Sequence, residues 1–242
     1  MYALPTKLVK YHYEKRFKTE KMSVKERLLD IKGQLPENVT LVAVSKFHTP
    51  ESIREAYDAG QRIFGESRAQ ELREKYDGLP KDIEWHFIGT MQTNKVKYYA
   101  PFVTLIQSVE SEKALKVIQK EALKNNRTID VLLEVHIAEE TTKQGWSLPE
   151  LEVYMTSGRM RELPNVRIRG LMGMATFTDN KEQVAREFNV LREIYHVLKT
   201  RMPAEFGEVF DILSMGMTDD WSEAVEAGST MVRIGSYIFG QR

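Results

Sequence analysis

Short apolar segments alternate with amphipathic segments along almost the whole of this chain. The apolar segments have the length and residue types of strands buried on both faces, and the amphipathic segments have the periodicity of helices. We predict strands at residues 40–45, 62–64, 83–88, 103–107, 129–137, 167–173, 209–214 and 230–234. Helices are predicted at residues 23–34, 50–59, 67–76, 92–98, 111–125, 148–158, 180–201 and 219–227. Eight strands joined by helices indicate an α/β fold, a closed (β/α)₈ barrel of the TIM type.

The main alternative to this barrel is an open, doubly wound sheet. The barrel is favoured because no G-x-G-x-x-G motif follows the first predicted strand. No helix is predicted after the last strand. We therefore expect the N-terminal helix, where Ser23 and Glu26 are spaced as a capping box, to complete the outer ring.

The chain divides into an N-terminal extension and one large domain. Residues 1–21 are rich in lysine and tyrosine without a clear period, and we expect a poorly ordered extension there. A basic arm that binds membrane or RNA is the alternative. Residues 22–242 form the barrel domain. Lys plus Arg and Asp plus Glu each total 35, so no overall field attracts nucleic acid or an anionic membrane.

The chain has no cysteine, which excludes disulfides, thiolate metal sites and cysteine nucleophiles. The five histidines show no metal-ligand spacing. No apolar segment approaches the length of a membrane span, and the first residues lack the apolar core of a secretory signal. These features are typical of a cytoplasmic protein, and we expect that location.

A lysine ends the first predicted strand. Lys46 follows the apolar residues 41–45, and Thr49 and Pro50 then begin a helix as N-cap and first helical residue. The carboxyl ends of parallel strands are where α/β folds place their chemistry. A lysine with a desolvated stem has a lowered pKa and can attack an aldehyde as a neutral amine. The alternative is a strand-end lysine that extends into solvent.

Alternation along the strands predicts which side chains face the barrel interior. Glu84 and His86 share one face of their strand, and the neighbouring aromatic residues share the other. The same parity allows Lys46, His86, Ser214 and Arg233 to converge at the carboxyl end of the barrel. For His86, a structural role as a buried, hydrogen-bonded side chain is an equally good interpretation.

The loops after strands seven and eight predict a phosphate site. Gly216 and Gly235 allow close approach of backbone N–H groups to an anion, and Ser214 and Ser236 add hydroxyl donors. Ordinary loop glycines are the alternative for either loop alone. A lysine opposite such loops suits an aldehyde that carries a phosphate, with pyridoxal 5'-phosphate as the leading example. Arg233 would then lie at the pyridine nitrogen and disfavour its protonation.

Ordered motifs cover the chain from about residue 39 to residue 240. They are AVSK at 43–46, FGESRAQE at 64–71, WHFIG at 85–89, QTNK at 92–95, GLM at 170–172, LSMGM at 213–217 and STMVRIG at 229–235. In these motifs the sequence resembles the pyridoxal phosphate homeostasis proteins, which are single-domain relatives of the alanine racemase barrel.

The resemblance implies a fold type III barrel that binds pyridoxal phosphate, with Lys46 as the aldimine lysine. It also implies Ser214, Gly235 and Ser236 around the phosphate. Arg233 would lie at the ring nitrogen, and His86 would pack near the ring face. Ser67 departs from the family pattern, which has asparagine at this position, so its contact with the cofactor is a point to test.

The resemblance also implies a function. Proteins of this family look like cytosolic carriers of pyridoxal phosphate that serve vitamin B6 homeostasis, without established catalytic activity. The expected partners are pyridoxal phosphate and apo-enzymes that receive it, and we expect a monomer. The alternatives are an amino-acid racemase and an aldolase-like barrel that uses Lys46 without a cofactor. In alanine racemases a second acid/base, a tyrosine, is approached through a separate β domain, for which this chain leaves no sequence.

Overall fold

A closed barrel of eight parallel strands forms the centre of the molecule in the computed structural model, which describes residues 22–139 and 145–241. Neighbours in sequence are neighbours in the barrel, and β8 pairs with β1 to close it. The strands are β1 Thr40–Val44, β2 Ile63–Glu66, β3 Glu84–Phe87, β4 Leu105–Val109, β5 Ile129–Val135, β6 Val166–Gly173, β7 Ile212–Ser214 and β8 Met231–Ile234. The predicted (β/α)₈ barrel is confirmed.

Helices connect the strands on the outside of the barrel. They are α1 Val24–Gln34, α2 Pro50–Asp58, α3 Ala69–Gly78, α4 Val96–Tyr99, α5 Glu112–Lys124, α6 Leu148–Thr156, α7 Lys181–Arg201, α8 Ala204–Gly207, α9 Trp221–Glu226 and α10 Ser236–Phe239. Single 3₁₀ turns at Thr93–Lys95 and Arg159–Glu162 precede α4 and β6. None of the helices in the described ranges has the length and hydrophobicity that a membrane crossing requires.

Local capping explains where several helices begin. The predicted capping box of α1 is present, because Ser23 Oγ accepts from the Glu26 N–H at 3.1 Å and Glu26 accepts from the Ser23 N–H at 2.7 Å. Before α7, the cap is Asn180, whose side chain accepts from the Gln183 N–H at 3.2 Å. The predicted helices therefore shift by at most a few residues at their ends, whereas the one-turn helix α8 was not predicted.

The core has two layers, as the alternation along the strands requires. The inner layer fills the barrel with one side chain from each of several strands. Its buried members are Val42, Leu105, Leu132, Met172 and Met231. The outer layer lies between strands and helices and includes Trp85 and Phe87, which confirms the predicted parity of β3. The ring of Phe87 stacks on Tyr99 of α4 at 4.3 Å.

The end of the chain required one correction. A one-turn helix, α10, follows β8, although we predicted none there. It packs against α1, where the Tyr237 hydroxyl donates to the Asp30 carboxylate. Helix α1 also contacts α2, so it occupies the outer ring as predicted. Residues 1–21, for which we predicted a poorly ordered extension, lie outside the described residues.

Candidate functional site

A tight turn at the end of β1 carries Lys46. The N–H of His48 donates to the carbonyl of Ser45 at 3.0 Å, which closes a four-residue turn over residues 45–48. Phe47, the third residue of this turn, has a φ of 67°. A bulky residue rarely adopts this left-handed conformation. The chain therefore reverses sharply at Lys46, and the side chains of Lys46 and His48 both line the same cleft.

This cleft lies at the carboxyl ends of the strands and has a volume of about 520 Å³. Its lining combines apolar side chains with polar and charged ones. Its lining residues are Val44, Lys46, His48, Ile88, Met174, Phe177, Met217, Thr218, Asp219, Asp220, Arg233, Gly235, Ser236, Gly240 and Gln241. A planar aromatic ligand with an anionic group fits such a lining, because it has both an apolar face and charged partners.

Glycine and hydroxyl groups form the wall at the ends of β7 and β8. A Cβ atom on Gly235 would lie 3.0 Å from the Val44 carbonyl oxygen, so the close approach of β8 to β1 leaves little room for a side chain here. The hydroxyls of Thr218 and Ser236 lie 3.2 Å apart. Gly216 has a φ of 95° and no room for a Cβ beside Ala224. Two hydroxyl donors thus stand beside glycine backbone, which is the chemistry of an anion site.

A buried cation forms the floor on the β8 side. Arg233 is 5% exposed; its Nη1 donates to Ser214 Oγ at 2.7 Å and its Nη2 to the Gly173 carbonyl at 3.1 Å. Burial lowers the pKa of Arg233 to about 10, while the carboxylates of Asp220 and Glu134 raise it. The guanidinium is therefore fixed in place and still charged at neutral pH.

A chain of hydrogen bonds continues from Arg233 across the barrel interior. Ser214 donates to Gln107 Oε1 at 2.7 Å, and Gln107 Nε2 lies 3.0 Å from His86 Nδ1. Because an amide nitrogen can only donate, His86 Nδ1 is the acceptor. Burial lowers the pKa of His86 to about 3, so the imidazole is neutral. Each group donates to the next one, and the chain orders the arginine rather than moving a proton.

Four of the seven residues predicted for cofactor binding line this cleft together: Lys46, Arg233, Gly235 and Ser236. His86 and Ser214 do not line it, since both are buried in the hydrogen-bond chain below Arg233. Ser67 does not line this cleft but lines a neighbouring one of about 500 Å³. Its carbonyl packs against Gly89, where a Cβ would lie 2.1 Å from the oxygen. Direct contacts of Ser67, His86 and Ser214 with a cofactor therefore stay predictions.

Several residues in or beside the cleft were not predicted from the sequence. Gln107 had a usable signal, because it lies two residues after the inward-facing Leu105 on the same strand. His48 lines the cleft because of the tight turn, and its ring stacks on Phe239 at 5.0 Å. Thr218 meets Ser236 only through the folding of two loops. No local pattern indicates a contact of that kind.

The fold and the cleft define a class of protein: (β/α)₈ barrels that carry a lysine at the end of β1 and an arginine on β8. The family model described as "Alanine racemase, N-terminal domain" matches residues 21–242. The alanine racemase of E. faecalis has the same fold, with a TM-score of 0.65 at 15% identity over 90% of this chain and 58% of the racemase. At that level of identity the likeness concerns the fold alone.

Other relatives are closer. The chain is 44% identical over 206 residues to a pyridoxal phosphate homeostasis protein of Aquifex aeolicus, covering 84% of this chain and 86% of that protein. PipY of Synechococcus elongatus PCC7942, whose structure was solved with pyridoxal phosphate bound, is 34% identical, with a TM-score of 0.81 over 90% of this chain and 100% of PipY. The chain therefore belongs to the pyridoxal phosphate homeostasis protein family, as its motifs predicted.

Proposed function

We propose that this protein binds pyridoxal 5'-phosphate in the Lys46 cleft and serves vitamin B6 homeostasis as its carrier. The observation that carries the proposal is the shared lining of that cleft: Lys46 at one strand end, Arg233 on the floor, and the Gly235 and Ser236 wall. The names of the relatives and the bound ligand of PipY point to the same cofactor.

The residues of the cleft fit the chemistry of this cofactor. The absence of a Cβ on Gly235 and the hydroxyls of Ser236 and Thr218 suit a phosphate. The apolar lining residues, which include Ile88 and Met174, suit the pyridine ring. When bound, pyridoxal phosphate supplies an aldehyde that condenses with a neutral primary amine, forming a carbon–nitrogen double bond and releasing water. Lys46 is the amine that we assign to this link.

Arg233 favours holding the cofactor over catalysis with it. Its fixed positive charge, placed at the ring nitrogen, would oppose protonation of that nitrogen. An unprotonated ring withdraws electrons less strongly, so it stabilises a carbanion poorly. Chemistry that passes through a free carbanion gains from that stabilisation, whereas storage needs only a reversible link. We therefore propose a carrier without a catalytic role of its own.

The wider setting of this function is part of the proposal. We propose that apo-enzymes dependent on pyridoxal phosphate receive the cofactor, that the carrier works as a monomer and that it acts in the cytoplasm. Transfer from the loaded protein to such an apo-enzyme can be followed by the recovery of that enzyme's activity. Size-exclusion chromatography with light scattering measures the mass in solution, and cell fractionation measures the location.

The central test is a spectrum with chemical trapping. Purified protein mixed with pyridoxal phosphate should develop a visible absorbance band. Borohydride should then fix the cofactor to the peptide that contains Lys46, as identified by mass analysis. Lys46→Ala should abolish both signals, whereas Lys95→Ala, which removes a lysine from the neighbouring cleft, should leave them unchanged.

Two results would overturn the proposal. An unchanged band in Lys46→Ala would remove the assigned lysine, and trapping at another lysine would relocate the site. Rapid production of D-alanine from L-alanine by the loaded protein would replace the carrier with a racemase.

A further inference from the structure

A buried cluster of charged side chains lies behind the turn that carries Lys46. Its centre is Lys75 of α3, which is only 5% exposed. The ammonium Nζ donates to the Ser45 carbonyl at 2.8 Å, to Glu66 Oε1 at 2.8 Å and to Glu71 Oε1 at 2.7 Å. An ammonium has three donors, so each of them has an acceptor here.

The cluster holds the residues on both sides of Lys46. Before it, Ser45 Oγ donates to Glu66 Oε1 at 2.6 Å, and the Ser45 carbonyl accepts from Lys75. After it, the N–H of Phe47 donates to Glu71 Oε1 at 2.5 Å. The backbone beside Lys46 is therefore held on one side by the Lys75 ammonium and on the other by the Glu71 carboxylate. Lys75 also bonds to both Glu66 and Glu71.

The turn needs such a restraint because it is strained. Phe47, with a φ of 67°, costs about 1–2 kcal/mol relative to an ordinary backbone conformation. Its ring is also covered by the Arg68 guanidinium, whose carbon lies 4.4 Å from the ring centroid. Without these contacts, the turn would relax toward extended backbone, and the direction of the Lys46 side chain would change.

A role in fold stability alone explains this cluster poorly. Buried ion pairs contribute little net stability, because the cost of desolvation offsets their attraction. Glu66 illustrates that cost, since burial raises its pKa to about 7 while Lys75 lowers it. One oxygen of Glu66, Oε2, is buried without a hydrogen-bond partner. The contacts are directed instead at the backbone around one functional residue.

We propose that Lys75 is a positioning residue, which fixes the turn over residues 45–48 so that the Lys46 amine points into the cleft. The proposal rests on the proposed function, since it assigns a role in the reaction of Lys46 with the aldehyde. Lys75 lies behind the strand ends and does not line the cleft, so it acts only through the turn.

Four variants test this role. Lys75→Met removes the ammonium while keeping the length of the side chain, and Lys75→Met with Glu66→Gln also removes the buried acid. Glu71→Gln keeps an oxygen for the Phe47 N–H but loses the charge. Arg73→Met is the control, because Arg73 is on the same helix and pairs with Asp77 at the surface.

The first measurement uses the protein without cofactor. Amide hydrogen exchange at Phe47 and His48 reports the hydrogen bonds that close and hold the turn. We expect exchange at these two amides to be about tenfold faster in the Lys75 variants, because loss of one charge-assisted hydrogen bond costs more than 1 kcal/mol. Arg73→Met should exchange as the wild type does.

The second measurement separates positioning from general damage. The rate of imine formation with pyridoxal phosphate should fall about tenfold to a hundredfold, since small misplacement of a reacting group has effects of this size. Affinity for pyridoxine 5'-phosphate, which has an alcohol in place of the aldehyde, should change less than about twofold, because the phosphate wall is built by other strands.

Each outcome decides the matter. Wild-type exchange and wild-type rates in the Lys75 variants would overturn the inference, and so would an equal loss of affinity for pyridoxine 5'-phosphate. If Lys75→Met does not fold, the double variant and Glu71→Gln carry the same two measurements. If the wild type forms no product at Lys46, the proposed function fails, and the exchange measurement still tests whether Lys75 fixes the turn.

Discussion

Gln107 is the residue on which the buried hydrogen-bond chain depends most. It is fully buried, accepts from Ser214 at 2.7 Å and donates to His86 at 3.0 Å. Gln107→Leu has nearly the same shape and removes both interactions at once. The perturbation therefore isolates the polar contribution of this side chain.

The expected cost follows from the groups that lose a partner. The variant leaves the Ser214 hydroxyl hydrogen and His86 Nδ1 unsatisfied, at about 1–3 kcal/mol each. The added apolar surface of leucine returns about 1 kcal/mol. We expect the free energy of unfolding to fall by about 1–5 kcal/mol, with about 3 kcal/mol as the central value. With a slope of about 3 kcal/mol per M for a chain of this size, the urea midpoint should fall by about 1 M.

A double-mutant cycle with Ser214→Ala provides the sharper test. Ser214→Ala alone leaves Gln107 Oε1 and Arg233 Nη1 without partners, whereas the double variant no longer contains two of the four affected groups. The double variant should therefore cost at least about 1 kcal/mol less than the sum of the single variants. Strict additivity in urea unfolding would refute a continuous chain between Arg233 and His86.

Three further predictions concern the cofactor site and pH. Arg233→Glu should lower the affinity for pyridoxal phosphate by about tenfold or more, or change the absorbance spectrum of the complex, because a carboxylate favours the protonated pyridinium. An identical spectrum and affinity would show that Arg233 does not lie at the ring nitrogen. Gly235→Ala forces a Cβ to within 3.0 Å of the Val44 carbonyl and should cost about 1–3 kcal/mol in urea unfolding, whereas Gly33→Ala, with open space around its Cβ, should not. Burial raises the pKa of Glu66 to about 7 from 4.5, so the folded state binds more protons in this window and stability falls as pH rises through it. As the pH rises from about 5 to about 7, Glu66→Gln should therefore gain stability relative to the wild type in urea titrations; a constant difference would contradict this sign.

Much of the fold was predictable from the sequence, because the relevant signals are local. Strand parity placed His86 on the inner face of β3 and the aromatic residues Trp85 and Phe87 on the outer face, where the structure has them. Caps such as Ser23 marked helix starts within one or two residues. The helix after β8 was missed, since four residues are too few to show a helical period.

The site was predictable only in part. Lys46, Arg233 and Gly235 line one cleft, as strand position and backbone chemistry indicated, and their contact with a cofactor stays a prediction. The buried contacts that hold Arg233 and the turn at Lys46 were missed, because they join distant segments. Gln107 contacts Ser214 across 107 residues, and Lys75 contacts the Ser45 carbonyl across 30 residues. The parity of a single strand cannot show which side chains meet across a barrel.

The same two sets of contacts help to explain why this site suits the proposed carrier role. The turn at Lys46 is held by Lys75, and the Arg233 guanidinium is held by Ser214, so little ordering is needed when a ligand arrives. The mouth of the cleft, however, stays open to water, and Phe177 at its rim is 87% exposed. Catalysts of carbanion chemistry exclude water from the reacting carbon. A site that is rigid inside and wet at its mouth would capture an aldehyde and let water reverse the link, as the proposed delivery of a cofactor to other proteins requires.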